Sequence, residues 1–370
     1  MTSVYIHIPF CERICTYCDF PKRVGTEKQM DDYLIAMEKE IVAYDVKRSL
    51  NSLYIGGGTP SILSGTRLMK LQEILTNFKF NENYEFTIEC NPEHITVELL
   101  EVYKKMGVNR ISLGVQTFNE RLLKLLNRNH TKEIVLNAVE LIKQMGITNI
   151  SVDLIFSLPM QSKQNLIDDL EEIKQLGIKH VSCYSLILEE KTVLSKLIRE
   201  NKLKLLENEV EAEMYQMVID YLKGVGFTHY EISNFCIDGY ASNHNQVYWK
   251  NQEYYGFGMG ASGYLDGVRY DNTRLVTNYI NQISQGQTVI DTKESLTVDT
   301  KIKESMLLGL RLLAGVSIDE VNRMFSIDVL DYFADEFNYL KKKNWIVIDD
   351  TIRLTHSGLY YGNEVFGMFI

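Results

Sequence analysis

Three cysteines near the N-terminus are the residues best placed to do chemistry. Cys11, Cys15 and Cys18 fall within eight residues of each other, in a chain with six cysteines. In a reducing compartment such close spacing favours metal binding over disulfides, whereas isolated thiols in apolar segments are usually buried and inert. We therefore predict three metal ligands and three structural thiols. The structural set is Cys90, Cys183 and Cys236.

The spacing CxxxCxxC leaves two kinds of metal site open. Tetrahedral zinc needs four protein ligands, usually drawn from two separated pairs, and this sequence has no second pair. A 4Fe-4S cluster commonly takes four thiolates, so a three-thiol loop would leave one iron open to another ligand. The pattern favours this cluster. The alternative is a Cys3His zinc site in which His7 is the fourth ligand.

The elements that must position this loop alternate between strand and helix. Apolar, β-branched runs occur at residues 4–8, 53–55, 84–88, 110–115, 150–156 and 181–187, with helical patterns between them. Thr26 and Gln29 form a capping box that starts a helix directly after the cysteine loop. Alternation at this period predicts parallel strands joined by helices, in an open sheet or a barrel.

A repeated helix-to-strand junction supports the same alternation. The segments KKMGVNRIS, KQMGITNIS and KQLGIKHVS share one frame of lysine, apolar residue, glycine, apolar residue and serine. Gly107, Gly146 and Gly177 are predicted to take the left-handed conformation just past a helix end.

Polar residues follow several of the predicted strands. They are residues 56–59, Glu89, Gln116 and Asp153. Ligands of parallel α/β folds collect at the carboxyl ends of strands, so we expect these residues to converge beside the cysteine loop. Arg128 is interpreted either as a partner for a carboxylate or as a solvated surface residue. A GxGxxG match at residues 258–263 carries little weight because no βαβ pattern surrounds it.

Residues 5–20, YIHIPFCERICTYCDF, resemble the signature of the radical S-adenosylmethionine enzymes, in the branch of the coproporphyrinogen III dehydrogenases. GGGTP, VDLIFSLP and HNQVYW further resemble the haem chaperones of that branch, and the likeness covers nearly the whole chain. It implies an α/β fold, a partial (β/α)6 TIM-like barrel with a small, mostly helical, winged-helix-like C-terminal domain. It also implies a 4Fe-4S cluster on Cys11, Cys15 and Cys18, with S-adenosylmethionine chelating the open iron.

The resemblance also assigns binding residues. The set implied for S-adenosylmethionine is Tyr5, Tyr17, Gly57, Gly58, Thr59, Glu89, Gln116, Arg128 and Asp153. The HNxxYW motif is associated with haem, which makes His244 a candidate axial ligand and Tyr248 and Trp249 candidate stacking surfaces. A hydrogen-bonded structural role is the alternative for His244.

One departure from the dehydrogenase pattern bears on function. Those enzymes have a further cysteine two residues after the third, where this chain has Phe20. We therefore expect a haem chaperone that binds haem as cargo and passes it to an acceptor protein. The alternatives are an oxygen-independent coproporphyrinogen III dehydrogenase and a non-catalytic zinc module.

Composition limits the remaining classes. The 370 residues carry a formal charge of −10, which disfavours a nucleic-acid partner. No apolar run approaches the roughly 18 residues of a membrane span, and the N-terminus lacks a secretory signal, so we expect a cytosolic protein. A homodimer is left open. The predicted domains are 1–235 for the barrel, 236–295 for a connecting region with HNxxYW, and 296–370 for the C-terminal domain.

Overall fold

Six parallel strands form the centre of the sheet in the computed structural model, which describes residues 2–370. They pair in sequence order from β1 to β6. Their bounds are β1 Ser3–Ile8, β2 Leu50–Gly57, β3 Phe80–Cys90, β4 Arg110–Gln116, β5 Asn149–Phe156 and β6 His180–Ser185. The predicted α/β fold with a partial six-stranded barrel is confirmed.

Three short strands that the sequence patterns did not predict extend the sheet to nine. β7 (Thr228–Glu231) and β8 (Asn234–Cys236) add antiparallel strands beyond β6, and β9 (Tyr255–Phe257) pairs in parallel with β1. β8 spans the predicted boundary at residue 235, and β9 belongs to the predicted connecting region. The barrel sheet therefore includes three strands that follow its six βα units in the sequence.

The helices of the barrel connect these strands. They are α1 Glu27–Tyr44, α2 Gly65–Leu75, α3 Val97–Met106, α4 Glu120–Leu125, α5 Lys132–Gln144, α6 Lys163–Leu176, α7 Val193–Arg199 and α8 Asn208–Gly224, with short 3-10 turns at Pro60–Ile62 and Pro92–His94. The capping box at Thr26 is present. Gly107, Gly146 and Gly177 have φ of 89°, 85° and 56°, as predicted for these junctions.

The two faces of β1 differ in chemistry because side chains alternate along a strand. Val4, Ile6 and Ile8 lie fully buried in the main hydrophobic cluster. Tyr5 and His7 point to the other face, where the register aligns Tyr5 with Tyr54 of β2. The inner face of the half barrel is thus largely polar, and polar groups there need partners.

Helix α9 (Asn243–Trp249) supplies many of those partners. The Glu85 carboxylate on β3 accepts hydrogen bonds from the Ser242 hydroxyl at 3.1 Å and from the backbone N–H groups of Asn243 and His244 at 2.8 and 3.1 Å. A buried carboxylate at a helix N-terminus offsets the positive end of the helix dipole. The helix that carries HNxxYW therefore packs against the inner face of the sheet.

The connecting region also contains a small antiparallel sheet and one helix. Its strands are β10 Ser262–Leu265, β11 Val268–Asn272 and β12 Ile290–Ser295, and its helix is α10 Val276–Ser284. Residues 258–263 run from β9 into β10 and open no helix, so the GxGxxG match is not a dinucleotide site.

Glu40 of α1 ties this region to the barrel. Its fully buried carboxylate accepts hydrogen bonds from Gly258 N–H at 2.8 Å, from the Asn272 amide at 2.9 Å and from the Tyr279 hydroxyl at 2.5 Å. Burial raises the pKa of Glu40 to about 7, against the hydrogen bonds that favour the ionised form. The folded protein therefore holds a proton here that the unfolded chain releases at lower pH.

We expect Glu40→Gln to flatten the pH dependence of stability. The contribution of Glu40 to the free energy of unfolding is fully present below about pH 4.5 and is lost as pH rises through about 7. At about 1.4 kcal/mol per pKa unit, the loss amounts to about 3 kcal/mol. Urea unfolding between about pH 5 and about pH 8 measures it. The exposed Glu101→Gln is the control, and parallel curves for wild type and Glu40→Gln would contradict the assignment.

The C-terminal unit has its own hydrophobic core, centred on Met306, Phe337 and Phe369. Its elements are α11 Val298–Gly309, β13 Val316–Ser317, α12 Ile318–Phe325, α13 Val329–Tyr332, α14 Ala334–Lys342, β14 Ile346–Ile348, β15 Thr351–Leu354, α15 His356–Tyr360 and α16 Gly362–Gly367. The expected small, mostly helical unit is present, and β14 pairs antiparallel with β15 in a hairpin. Within residues 2–370, no helix has the length and apolar character of a membrane span.

Candidate functional site

The cysteine loop leaves the end of β1 and is held on one side by the neighbouring βα loop. Gly58 N–H donates to the Ile8 carbonyl and Thr59 N–H to the Phe10 carbonyl, both at 2.8 Å. Within the loop, Cys11 N–H donates to the Arg23 carbonyl at 3.0 Å. The backbone around Cys11 is therefore fixed by main-chain hydrogen bonds before any metal is considered.

The other side of the loop is docked on the segment after α4 and on α7. Thr16 N–H donates to the Leu126 carbonyl at 3.2 Å, and the Asn127 amide donates to the Ile14 carbonyl at 2.9 Å. Leu194 N–H of α7 donates to the Thr16 carbonyl at 2.9 Å. Strand β1, the α4 segment and α7 together position the three cysteines.

All three thiols are free, and two cations lie beside them. Arg128 donates to the Cys15 sulfur at 3.7 Å, and the Lys22 ammonium donates to the Cys18 carbonyl. Burial raises the pKa of the Cys11 thiol to about 11 and also raises the pKa of Cys18. Metal binding would therefore displace protons, and the flanking positive charges would stabilise the resulting thiolates.

His7 is not available as a fourth ligand. Its Nδ1 accepts from the Tyr5 hydroxyl at 2.9 Å, and its Nε2 donates to the Pro21 carbonyl at 2.7 Å. Burial lowers the pKa of His7 to about 4, so the ring is neutral and both nitrogens are used. The arrangement does not support the Cys3His zinc alternative.

The donor set instead fits a three-thiolate cluster. Across residues 2–370, no three His, Cys, Asp or Glu side chains converge on a single metal position. Zinc requires such convergence, because all its ligands bind one ion within about 2.3 Å. A 4Fe-4S cluster does not require it, since each thiolate binds a different iron.

A cavity of about 260 Å³ lies at the strand ends next to this loop. It is lined by Tyr5, Phe20, Tyr54, Gly57, Glu89, His244, Asn245 and Tyr248. Three residues predicted for S-adenosylmethionine and two predicted for haem thus line one small cavity. Sequence patterns missed Tyr54. It lies two residues after the polar Ser52 on β2, and this period of two was a signal that both side chains lie on the inner face.

Glu89 is the charged group of this cavity. Its carboxylate accepts a hydrogen bond from the Tyr54 hydroxyl at 2.8 Å and from Gly57 N–H at 3.1 Å. Burial, together with the nearby Asp153 charge, raises the pKa of Glu89 to about 7 against the two hydrogen bonds, which favour the ionised form. A ligand that carries positive charge or hydrogen-bond donors would favour the ionised carboxylate.

Glycine is required where the GGGTP loop meets the cysteine loop. Gly57 has φ of 107°, in the left-handed region. A Cβ at Gly58 would lie 2.7–2.8 Å from backbone atoms of Ile8, Pro9 and Phe10, which cannot move aside cheaply. The glycines therefore allow close contact between two loops, and the Gly57 and Gly58 N–H groups are already hydrogen-bonded.

Four further residues predicted for S-adenosylmethionine, Tyr17, Gln116, Arg128 and Asp153, lie around Tyr184 of β6, which sequence patterns did not single out. Gly58 and Thr59 instead contact the cysteine loop. The Tyr184 hydroxyl donates to Gln116 at 3.3 Å, and Tyr17 packs with Tyr184 in one apolar cluster. Arg128 is half-buried and donates to the Gly114 carbonyl, so it is not a solvated surface residue. Ser112 donates to Asp153 at 3.2 Å, and burial raises the pKa of Asp153.

His244 has the contacts of a structural histidine. Its Nδ1 is hydrogen-bonded to Ser52 at 2.8 Å and its Nε2 to the Tyr248 hydroxyl at 2.8 Å, and burial lowers its pKa to about 3. Trp249 lies outside the cavity and packs under Arg311, whose guanidinium carbon is 4.4 Å from the ring centroid. Haem ligation by His244 stays a prediction, and it would require breaking one of these hydrogen bonds.

A six-stranded parallel half barrel whose first strand leads into a three-thiol loop defines a radical S-adenosylmethionine protein. The Radical SAM superfamily profile matches residues 5–173, and the HemN C-terminal domain profile matches residues 296–361. The heme chaperone HemW of Lactococcus lactis is 39% identical over 370 residues, covering 100% of this chain and 97% of that one. That of Bacillus subtilis is 40% identical over 377 residues, covering 100% and 99%. The chain belongs to the HemW family of haem chaperones.

A solved structure shares the complete fold. Coproporphyrinogen III oxidase (HemN) from Escherichia coli, a radical SAM enzyme, superimposes with a TM-score of 0.87 at 24% identity, covering 100% of this chain and 89% of that chain. At this identity the likeness establishes architecture, including the C-terminal unit, and says nothing about the reaction.

Proposed function

We propose that this protein is a haem chaperone that binds haem and transfers it to an acceptor protein. The observation that carries the proposal is the 39–40% identity, over the full chain, to relatives named as heme chaperones. Phe20 supports it, since the dehydrogenases of this branch are expected to have cysteine there. The cytosolic location, the identity of the acceptor and a homodimer stay predictions.

The scaffold is proposed to hold a 4Fe-4S cluster on Cys11, Cys15 and Cys18, with S-adenosylmethionine next to it. When bound, the pair supplies reductive cleavage of the sulfonium and a 5′-deoxyadenosyl radical. Arg128 and Lys22 balance the negative charge of the thiolates. Glu89 and Gly57 orient the methionine part, while Tyr17, Gln116 and Asp153 bind the remainder around Tyr184.

We expect the purified chain to bind haem and to lack dehydrogenase activity. Haem titration followed by visible absorbance should saturate at about one equivalent, with and without the cluster. Under anaerobic conditions, the protein with reconstituted cluster, S-adenosylmethionine and reductant should convert no coproporphyrinogen III to protoporphyrinogen. Stoichiometric decarboxylation would favour the dehydrogenase instead, and a chain that holds zinc and neither iron nor haem would favour the zinc module.

A further inference from the structure

A second, larger cavity lies between the barrel and the C-terminal unit. Its volume is about 760 Å³, and its walls come from the ends of β5 and β6, the first half of α8, and the segment from α15 to α16. The aromatic residues that line it are Phe156, Tyr184, Tyr215, Tyr360, Tyr361 and Phe366. None of these residues lines the first cavity.

Several of the aromatic rings form a continuous wall. Tyr215 stacks on Phe156 with ring centroids 5.9 Å apart and an interplanar angle of 5°, and Tyr360 meets Tyr215 edge-on at 6.0 Å. The Tyr215 hydroxyl is fixed by a 2.7 Å hydrogen bond to the Ile232 carbonyl. Such a wall offers flat apolar area to a flat aromatic ligand.

Arg311, which follows α11, is the cation of this cavity. Its guanidinium carbon lies 4.4 Å from the centroid of Trp249 and 5.4 Å from that of Phe366. Among residues 2–370, no carboxylate oxygen lies within 4.0 Å of its nitrogens, and its buried Nε has no hydrogen-bond partner. A mostly buried guanidinium without an ion pair is costly, so an anionic ligand would satisfy it.

The carboxylates of the cavity do not neutralise Arg311. Glu211 accepts hydrogen bonds from Ser185 at 2.5 Å and from Ser157 at 3.3 Å, and Glu209 and Glu364 are exposed. The Glu231 carboxylate, behind the cavity, is hydrogen-bonded to Asn234 and attracts Arg311 only from beyond ion-pair distance. The cavity is thus aromatic along its walls and locally cationic at Arg311.

Haem is a flat macrocycle with two propionate carboxylates. The first cavity, at about 260 Å³, is below the roughly 300–1,000 Å³ typical of small-molecule sites and contains residues proposed for S-adenosylmethionine. The second cavity lies within that range and shares only Tyr184 with the surroundings proposed for S-adenosylmethionine. We infer that the haem macrocycle binds in the second cavity, with a propionate on Arg311 and the aromatic wall against the ring, an inference that rests on the proposed function.

This placement gives Trp249 of HNxxYW a positioning role. Its ring is a platform that holds the Arg311 guanidinium toward the cavity, and it does not itself contact the macrocycle. The motif then has two separate tasks, since His244 and Tyr248 complete the inner face of the barrel.

The test compares haem with haem dimethyl ester, whose propionates are blocked, by absorbance titration of the full chain. For wild type, we expect the ester to bind roughly ten- to a hundredfold more weakly than haem. Arg311→Gln should weaken haem binding by a similar factor and bind haem and ester equally. Arg323→Gln, an exposed arginine on α12, should behave as wild type.

Each outcome decides a separate point. Equal affinity of wild type for haem and ester would overturn the Arg311 contact, and this arm needs no variant. Loss of haem binding in His244→Ala together with wild-type titration of Arg311→Gln would move the macrocycle to the first cavity. A wild-type chain that binds neither haem nor ester would instead refute the proposed function.

Discussion

Cys15→Ala is expected to abolish iron incorporation, from roughly four irons per chain to near zero after anaerobic reconstitution. A cube held by three thiolates loses a third of its protein ligands, and the His7 imidazole cannot replace Cys15 because it uses both ring nitrogens. Iron analysis and the charge-transfer absorption of the cluster measure the loss.

The matched control is Cys236→Ala, which removes a buried thiol far from the loop. We expect it to retain full iron content with a modest loss of stability. The cysteine loop is fixed by main-chain hydrogen bonds, such as Gly58 N–H to Ile8, so Cys15→Ala should keep a wild-type circular dichroism spectrum. Wild-type iron content in folded Cys15→Ala would refute the ligand assignment.

Glu89→Gln is expected to weaken binding of S-adenosylmethionine by roughly a hundredfold, because hydrogen bonds to a charged group contribute about 1.5–3 kcal/mol each. The substitution keeps the size of the side chain and removes its charge, while it places an amide group against Gly57 N–H or Tyr54. Calorimetric titration of the cluster-loaded chain measures the affinity. The control is Glu101→Gln, at an exposed position on α3, and an unchanged dissociation constant for Glu89→Gln would remove Glu89 from the site.

The same carboxylate predicts a pH dependence of binding. The pKa of Glu89 in the free protein is raised to about 7, so below that pH the carboxyl must release a proton before it attracts the sulfonium ligand. Affinity should therefore fall by up to about tenfold per pH unit below about 7 and level off above it. Glu89→Gln should lose this dependence, and a wild-type affinity that rises at low pH would contradict the assignment.

Much of the barrel and part of the site could be predicted from local patterns. Glu89, Gln116 and Asp153 each follow a β-branched run, and parallel strand order alone brings their ends to one edge. Their proximity is real: the Asp153 charge raises the pKa of Glu89, and Gln116 contacts Tyr184 on β6. Periodicity was sufficient here because the contacts repeat from one βα unit to the next.

Contacts across long sequence separations could not be predicted in this way. Glu40 bonds to Gly258 and Asn272, which lie 218 and 232 residues away, and nothing local specifies those partners. A readable signal did exist, since Glu40 interrupts the apolar face of α1 next to Ile41. His244 illustrates the converse, because its motif suggested a ligand while its partner Ser52 lies 192 residues earlier.

The pairing of β9 with β1 has a consequence for the growing chain. The Val4–Tyr255 pair joins residues about 250 positions apart, whereas β2 covers the other edge of β1 after about 50. Because synthesis proceeds from the N-terminus, the outer edge of β1 emerges long before its partner and presents unpaired N–H and C=O groups throughout that interval. The strand that leads into the cysteine loop is therefore the segment of the nascent barrel most exposed to intermolecular strand pairing, and its protection comes last.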